Sequence, residues 1–210
     1  MDDRIEAVLD VYHEMIRREQ DERERERRGH APRPAEGGID RRLLAVGPQT
    51  GRFINLLARS LSAPAILELG TSYGYSGIWL AEAARASGGR LVTMEAKDYK
   101  SAFAREMSAK AGLAEHVEFR VGDAVEMISD LPAGLDFVLL DLPNQLYLPA
   151  LEAFAPKLNP GAIIVADNIR PGRRDVAAYL DAVRGRPDMA SLPVPVGNGL
   201  EISRFRAFES

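Results

Sequence analysis

A chain of 210 residues with 46% apolar residues is long enough for one domain with a core and too apolar for a disordered polymer. A formal charge of −4 does not suit a general nucleic-acid binder, and the absence of cysteine excludes disulfides and thiolate zinc sites. The opening Met1-Asp2-Asp3-Arg4 lacks a signal-peptide core, and no apolar run reaches membrane-spanning length; the expectation is a cytoplasmic protein without nucleic-acid or membrane partners.

Residues 2 to about 28 read as one amphipathic helix. Ile5, Val8, Leu9, Tyr12 and Ile16 form its apolar stripe, and residues 17–28 are almost wholly charged, with acid-to-base pairs at i,i+4 such as Glu14/Arg18 and Glu19/Arg23. One reading is a solvated helix docked by its first half. The other is a dimer arm or a lid over a substrate, and the stripe's need for a partner surface predicts a homodimer. Residues 29–38, with Pro32 and Pro34, read as a linker, which divides the chain into an N-terminal segment 1–37 and a domain 38–210. A second helical region covers about 39–61, interrupted near Gly47-Pro48.

Strands and helices then alternate, as in α/β folds. Strands are expected at 65–69, 90–95, 116–121, 135–140 and 162–166. Helices are expected at about 75–86, 98–112 and 146–158, with a short one after Ala124 and another from Pro171 to about Arg184. The tail reads as a hairpin whose last strand, 200–208, joins the sheet antiparallel as an edge. The fold class is therefore α/β and Rossmann-like, a mostly parallel seven-stranded sheet with helices on both faces.

The stretch around residues 66–84 organises the rest. An apolar strand, Ile66-Leu67-Glu68-Leu69, stops at Gly70; a turn runs through Thr71 to Gly74, and helical spacing follows. Such a strand–turn–helix presents backbone N–H groups to a ligand at the strand ends. Glu68 is costly in a buried strand unless partnered, and it would repel a pyrophosphate. Glu95 ends the next strand 21 positions after Gly74, near the interval at which dinucleotide folds place a ribose-binding acid. Two acids facing a nucleoside without a phosphate clamp suggest S-adenosylmethionine (SAM), which is cationic.

Acids recur where later strands end, at Asp123, Asp141 and Asp167. Taken alone, Asp123 is best read as a helix N-cap. Asp141, Asp167 and Asn168 offer oxygen donors from two strand ends, which suits Mg²⁺ or Ca²⁺; the alternative is that Asp167-Asn168 is only a turn.

Taken in order, Val46-Gly47-Pro48, Leu67-Glu68-Leu69-Gly70-Thr71 with Gly74-Tyr75-Ser76, Thr93-Met94-Glu95, Gly122-Asp123-Ala124, Asp141, Ala166-Asp167-Asn168 and Gly197-Asn198-Gly199-Leu200 resemble the metal-dependent class I O-methyltransferases, the group of catechol and caffeoyl-CoA O-methyltransferases. The resemblance covers about residues 46–208. It implies that Val46 and the turn with Gly70, Thr71, Gly74, Tyr75 and Ser76 cradle the methionine part of SAM, and that Glu68 lies near its amino group or the backbone of the turn. Glu95 would hold the ribose, and Asp123 and Ala124 would meet the adenine. Asp141 belongs to both the cofactor and metal sets, completing the latter with Asp167 and Asn168. The implied cofactors are SAM and a divalent cation such as Mg²⁺, and the implied reaction is methyl transfer to a small acceptor with vicinal hydroxyls.

The chain departs from that family at Asn144, where a lysine thought to be the general base usually stands three positions after the first metal-binding aspartate. An amide does not take up a proton at neutral pH. Lys97, Lys100 and Lys157 sit at surface-type helical positions and offer no obvious replacement. Two alternatives therefore remain: a metal-independent SAM methyltransferase acting on another nucleophile, and a SAM-binding protein whose catalysis has lapsed. Acceptor specificity is expected in residues 142–147, 170–174 and 191–198.

Overall fold

A computed structural model describes residues 2–30, 41–170, 172 and 174–206. The central part of the linker with Pro32 and Pro34, the boundary at 37/38, Ile39, Pro171 and the end at Phe208 lie outside the described residues. Helix α1 (Asp3–Arg27) is capped by Asp2, whose carboxylate accepts from the Arg4 and Ile5 backbone N–H groups, as N-caps do. Its first half is docked: Ile5, Val8, Leu9 and Tyr12 are buried in the same core as helices α2 (Pro48–Arg59), α3 (Tyr75–Ser87) and α4 (Asp98–Lys110). The stripe thus has a partner within its own chain. The charged second half carries the Glu14–Arg18 and Glu19–Arg23 pairs.

Seven strands follow: β1 (Ala65–Leu69), β2 (Arg90–Glu95), β3 (Val117–Val121), β4 (Leu135–Leu140), β5 (Leu158–Ala166), β6 (Met189–Val194) and β7 (Leu200–Phe205). Their order across the sheet is β3-β2-β1-β4-β5-β7-β6. The first five are parallel, and β7 runs antiparallel to both neighbours. Alternate residues serve opposite faces. Ile66, Phe137 and Leu139 pack toward α1–α4. Leu67, Val138 and Leu140 pack toward α5 (Ala124–Ile128), α6 (Tyr147–Phe154) and α7 (Ala177–Gly185).

Three expectations need correction. The last strand is not an edge: β7 lies between β5 and β6, and β6 takes the edge. Composition explains the exchange. β6 carries Pro193 and an exposed Leu192, both tolerated at an edge, whereas Leu200, Glu201 and Ser203 of β7 are buried. Glu201 survives burial because Arg184 of α7 grips it with two hydrogen bonds of 2.7 and 2.6 Å. Residues 42–47 carry no helix; α2 begins at Pro48 after Gly47 at φ +85°. Helix α7 begins at Ala177 rather than near residue 171.

Candidate active site at the strand ends

A cleft of about 540 Å³ opens at the carboxyl ends of the parallel strands. Its lining brings together Gly70, Glu95, Asp123, Ala124, Asp141, Asp167 and Asn168 from the ends of β1 to β5. Topology does the gathering, since parallel strands expose their carboxyl ends on one rim and β1 and β4 sit side by side where the strand order reverses.

The turn after β1 is held from several sides. The Ser72 N–H donates to Glu95 Oε2 at 2.7 Å, and the Lys97 N–H donates to Glu95 Oε1 at 3.0 Å. Ser72 Oγ donates to the Leu43 carbonyl at 2.8 Å. The Thr71 and Thr93 hydroxyls are 2.5 Å apart. Gly70 has φ +102°, and a β-carbon there would overlap the Asp141 carbonyl oxygen. Gly74 has φ +93°, and a β-carbon there would press on Ala104 of α4. Both glycines are therefore required by the protein's own packing.

Other expected cofactor residues lie behind the cleft wall. Val46, Thr71, Tyr75 and Ser76 are buried and absent from the lining. The Tyr75 hydroxyl meets His13 Nε2 at 3.1 Å. Glu68 is wholly buried beneath the turn, on the face toward α3; its Oε2 accepts from Thr93 Oγ1 at 2.5 Å, and its Oε1 has no partner among the described residues. Burial drives its carboxyl up to about 7, against the opposing pull of the Ser76 and Thr93 hydroxyls. Asp123 caps α5, accepting from Val125 N at 2.8 Å and Glu126 N at 3.2 Å, while still lining the cleft.

At the ends of β4 and β5, Asp141 and Asp167 are close enough to disturb each other. Burial raises the Asp141 carboxyl well above the ordinary range, and Asp167 and Glu68 raise it further. Burial also lifts Asp167, to about 6. Asp167 is 1% exposed, and its Oδ1 has no partner among the described residues. Asn168 takes φ +60°, which asparagine tolerates, and its Nδ2 donates to Asp141 Oδ1 at 2.9 Å. Tyr147, buried in α6, fixes the turn by donating to the Asp167 carbonyl at 2.9 Å. No group of three or more His, Cys, Asp or Glu side chains suited to a metal occurs among the described residues. The expected set has two carboxylates and a carboxamide, and the orphaned Asp167 oxygen beside a second acid fits a hard cation.

Asn144 points elsewhere. It is half-buried, and its Nδ2 donates to Asp175 Oδ2 at 2.8 Å. Sequence reasoning also missed residues that the cleft uses. Lys100 is 6% exposed rather than on the surface, because its ammonium lies 5.3 Å from the Tyr73 ring centre and 3.5 Å from Ser72 Oγ. Ile16, Glu19, Gln20 and Arg23 of α1 line the cleft; their i, i+3, i+4, i+7 spacing was the available signal.

The strand order, the glycine turn after β1 and the acid ending β2 define a class I, Rossmann-like methyltransferase fold. Residues 67–169 match the family model of a methyltransferase domain. The chain is 38% identical over 144 residues to a catechol O-methyltransferase of Niastella koreensis, covering 66% of this chain and 64% of that protein. It is 31% identical to the catechol O-methyltransferase of Sus scrofa, covering 66% of this chain and 78% of the relative. Among solved structures, the O-methyltransferase TomG of Streptomyces achromogenes, involved in tomaymycin synthesis and crystallised with SAM, superposes with a TM-score of 0.70 at 26% identity, covering 99% of this chain and 91% of that one. The chain belongs to the class I SAM O-methyltransferases of the catechol O-methyltransferase kind. Its match to the Niastella protein spans just under two thirds of that relative's length. No helix among the described residues is long and apolar enough to cross a membrane.

Proposed function

We propose that the protein transfers the methyl group of SAM to a hydroxyl of a small acceptor, a vicinal-diol aromatic being the preferred class, with a divalent cation such as Mg²⁺ at Asp141, Asp167 and Asn168. The observation that supports this most is the meeting, in one cleft, of the Ser72–Glu95 turn with two mutually repelling carboxylates and a carboxamide. Glu95 presents its carboxylate to the ribose hydroxyls. Gly70 and Ser72 border the methionine end, with Val46, Thr71, Gly74, Tyr75 and Ser76 shaping the turn from behind. Asp123 and Ala124 form the adenine end. Glu68 and Asp141 lie on the side of a cationic donor, whose positive charge would favour their ionised forms against the effect of burial.

A divalent cation supplies positive charge that acidifies a neighbouring hydroxyl. The chain's part is alignment: it fixes donor and acceptor so that the oxygen approaches the methyl carbon opposite sulfur, in a cleft whose walls limit water. Asp141 and Asp167 hold the acceptor end, and Asn168 orients Asp141 through its amide. The acceptor's proton is lost to solvent, since no lysine stands at position 144 to take it up, which favours acceptors that are already acidic.

The test is methyl transfer from SAM across a panel of catechols, monophenols and aliphatic diols, with Mg²⁺ or EDTA. Turnover of catechols that EDTA abolishes is expected. EDTA-insensitive turnover would point to a metal-independent reaction, and no turnover despite SAM binding would point to a lapsed enzyme.

A further inference from the structure

The charged half of α1 has work that its sequence does not announce. Glu19 is largely shielded, with a side chain 15% exposed. Its Oε1 pairs with Arg23, and its Oε2 accepts the Leu43 N–H at 2.6 Å. Leu43 passes the connection on, because its carbonyl accepts from Ser72 Oγ. The Ser72 N–H in turn holds Glu95. An unbroken chain of hydrogen bonds therefore runs from α1 through Leu43 and the glycine turn to the acid expected to meet the ribose.

Two further observations give this chain its purpose. Leu44 and Ser72, both non-glycine, stand at φ +50° and +47°. Such conformations persist where surrounding contacts over-determine them, and the Leu43–Ser72 link lies between the two. The helix is also anchored on both sides of Glu19. Tyr12 donates to the Tyr73 carbonyl at 2.6 Å, and Arg42 forks onto Glu26 at 2.7 and 2.6 Å. The face presented between these anchors, with Ile16, Glu19, Gln20 and Arg23, is cleft wall, and the Arg23 Nε on it is buried without a hydrogen-bond partner among the described residues.

We infer that α1 is part of the cofactor site, with Glu19 a positioning residue that sets the 43–45 wall and the Ser72–Glu95 pair for SAM. This rests on the cofactor reading above. Glu19 does not touch the reacting atoms; it acts through Leu43 and Ser72. Glu19→Gln keeps an acceptor oxygen for the Leu43 N–H, whereas Glu19→Ala removes it.

The experiment measures S-adenosylhomocysteine affinity by calorimetry for the full chain and for Glu19→Gln, Glu19→Ala, Ser72→Ala and the Glu19→Ala/Ser72→Ala double variant, with thermal melts alongside. Glu19→Ala is expected to weaken binding about tenfold while remaining folded, and Glu19→Gln to stay within about threefold of wild type. Because the two residues act in one chain, the double variant should bind within about twofold of the weaker single variant. Losses that multiply, or a Glu19→Ala variant that binds as wild type does, would overturn the inference. A second measurement needs no variant: amide hydrogen exchange in the wild type should slow at Leu43 and in residues 16–27 when the ligand is added. Unchanged exchange there, with the ligand bound, overturns the inference and leaves the cofactor reading standing. A wild-type chain that does not bind the ligand overturns both.

Discussion

The two ends of the cleft are built on opposite principles. At the β1–β2 end, the polar groups of the turn itself are satisfied within the protein, Ser72 with Glu95 and Leu43 and Thr71 with Thr93, and Glu68 Oε1, without a partner among the described residues, lies buried beneath it. At the β4–β5 end, burial raises the affinity of both carboxylates for protons and Asp167 adds to the rise at Asp141, one oxygen lacks a partner among the described residues, and a single amide bridges to Asp141. Backbone geometry holds the first end. The second gathers two acids, with Arg170 opposing the rise at Asp167 without cancelling it, so its electrostatics favour either protons or a cation. A nucleoside needs a shaped wall, whereas chelation needs concentrated charge.

The largest effect expected is at the seam between the two ends. Gly70 belongs to the first, yet a β-carbon there would strike the Asp141 carbonyl of the second, in a backbone region that L-residues avoid. Gly70→Ala should cost about 3 kcal/mol or more, read from the urea midpoint. Unaltered stability would show that the two ends are less rigidly joined than their packing indicates.

Asp167→Asn comes next. Removing one of two repelling acids should raise the melting temperature in EDTA by a few degrees and cancel the further rise that Mg²⁺ gives the wild type. Turnover should fall about a hundredfold or more, since a hard-cation site loses a charged donor. An equal Mg²⁺ response in both proteins would place the cation elsewhere.

A smaller effect is expected from Glu68, which underlies both ends. Burial lifts its carboxyl from 4.5 to about 7. Between those values the folded chain keeps a proton that the unfolded chain has released, so this group's contribution to stability falls as pH rises through the window and is fully present below it. Thermal melts in EDTA at pH 5 and pH 8 should therefore differ more in the wild type than in Glu68→Gln. Equal differences would mean that Glu68 is ionised in the folded chain throughout.

The β1–β2 end was the more legible of the two in sequence, because an apolar strand, a glycine turn and a spaced acid are local patterns. The acids ending β4 and β5 were legible as residues, but their closeness depends on β1 and β4 lying side by side, which sequence spacing does not state. The place of β7 was misread because a hairpin does not reveal which of its strands faces the sheet; Pro193 in β6 was the available signal. Lys100 was misjudged because an aromatic face and a hydroxyl from a distant turn shelter its ammonium. The cleft-lining face of α1 lay within a stretch whose charge pattern equally suits a solvated helix. Asn144 was noticed for the lysine it replaces, and its bond to Asp175 could not be read from 31 residues away.

That last pair gives the smallest predicted effect. Asn144→Lys introduces an amine at the position where the family usually carries its lysine, and a well-placed general base contributes about 10²–10⁴-fold. Here the position is half-buried, and its side chain already reaches Asp175, neither residue being part of the cleft lining. A lysine ammonium would pair with that carboxylate. The pairing holds it outside the cleft and favours its charged form, which cannot accept a proton. Asn144→Lys alone should therefore raise catechol turnover at pH 7.5 by less than about tenfold, whereas Asn144→Lys/Asp175→Asn should raise it further, with the pH–rate profile shifted toward lower pH. If the single variant instead gives the larger gain, Asp175 does not divert the side chain, and the β4–β5 end is open to a base at position 144 without further change.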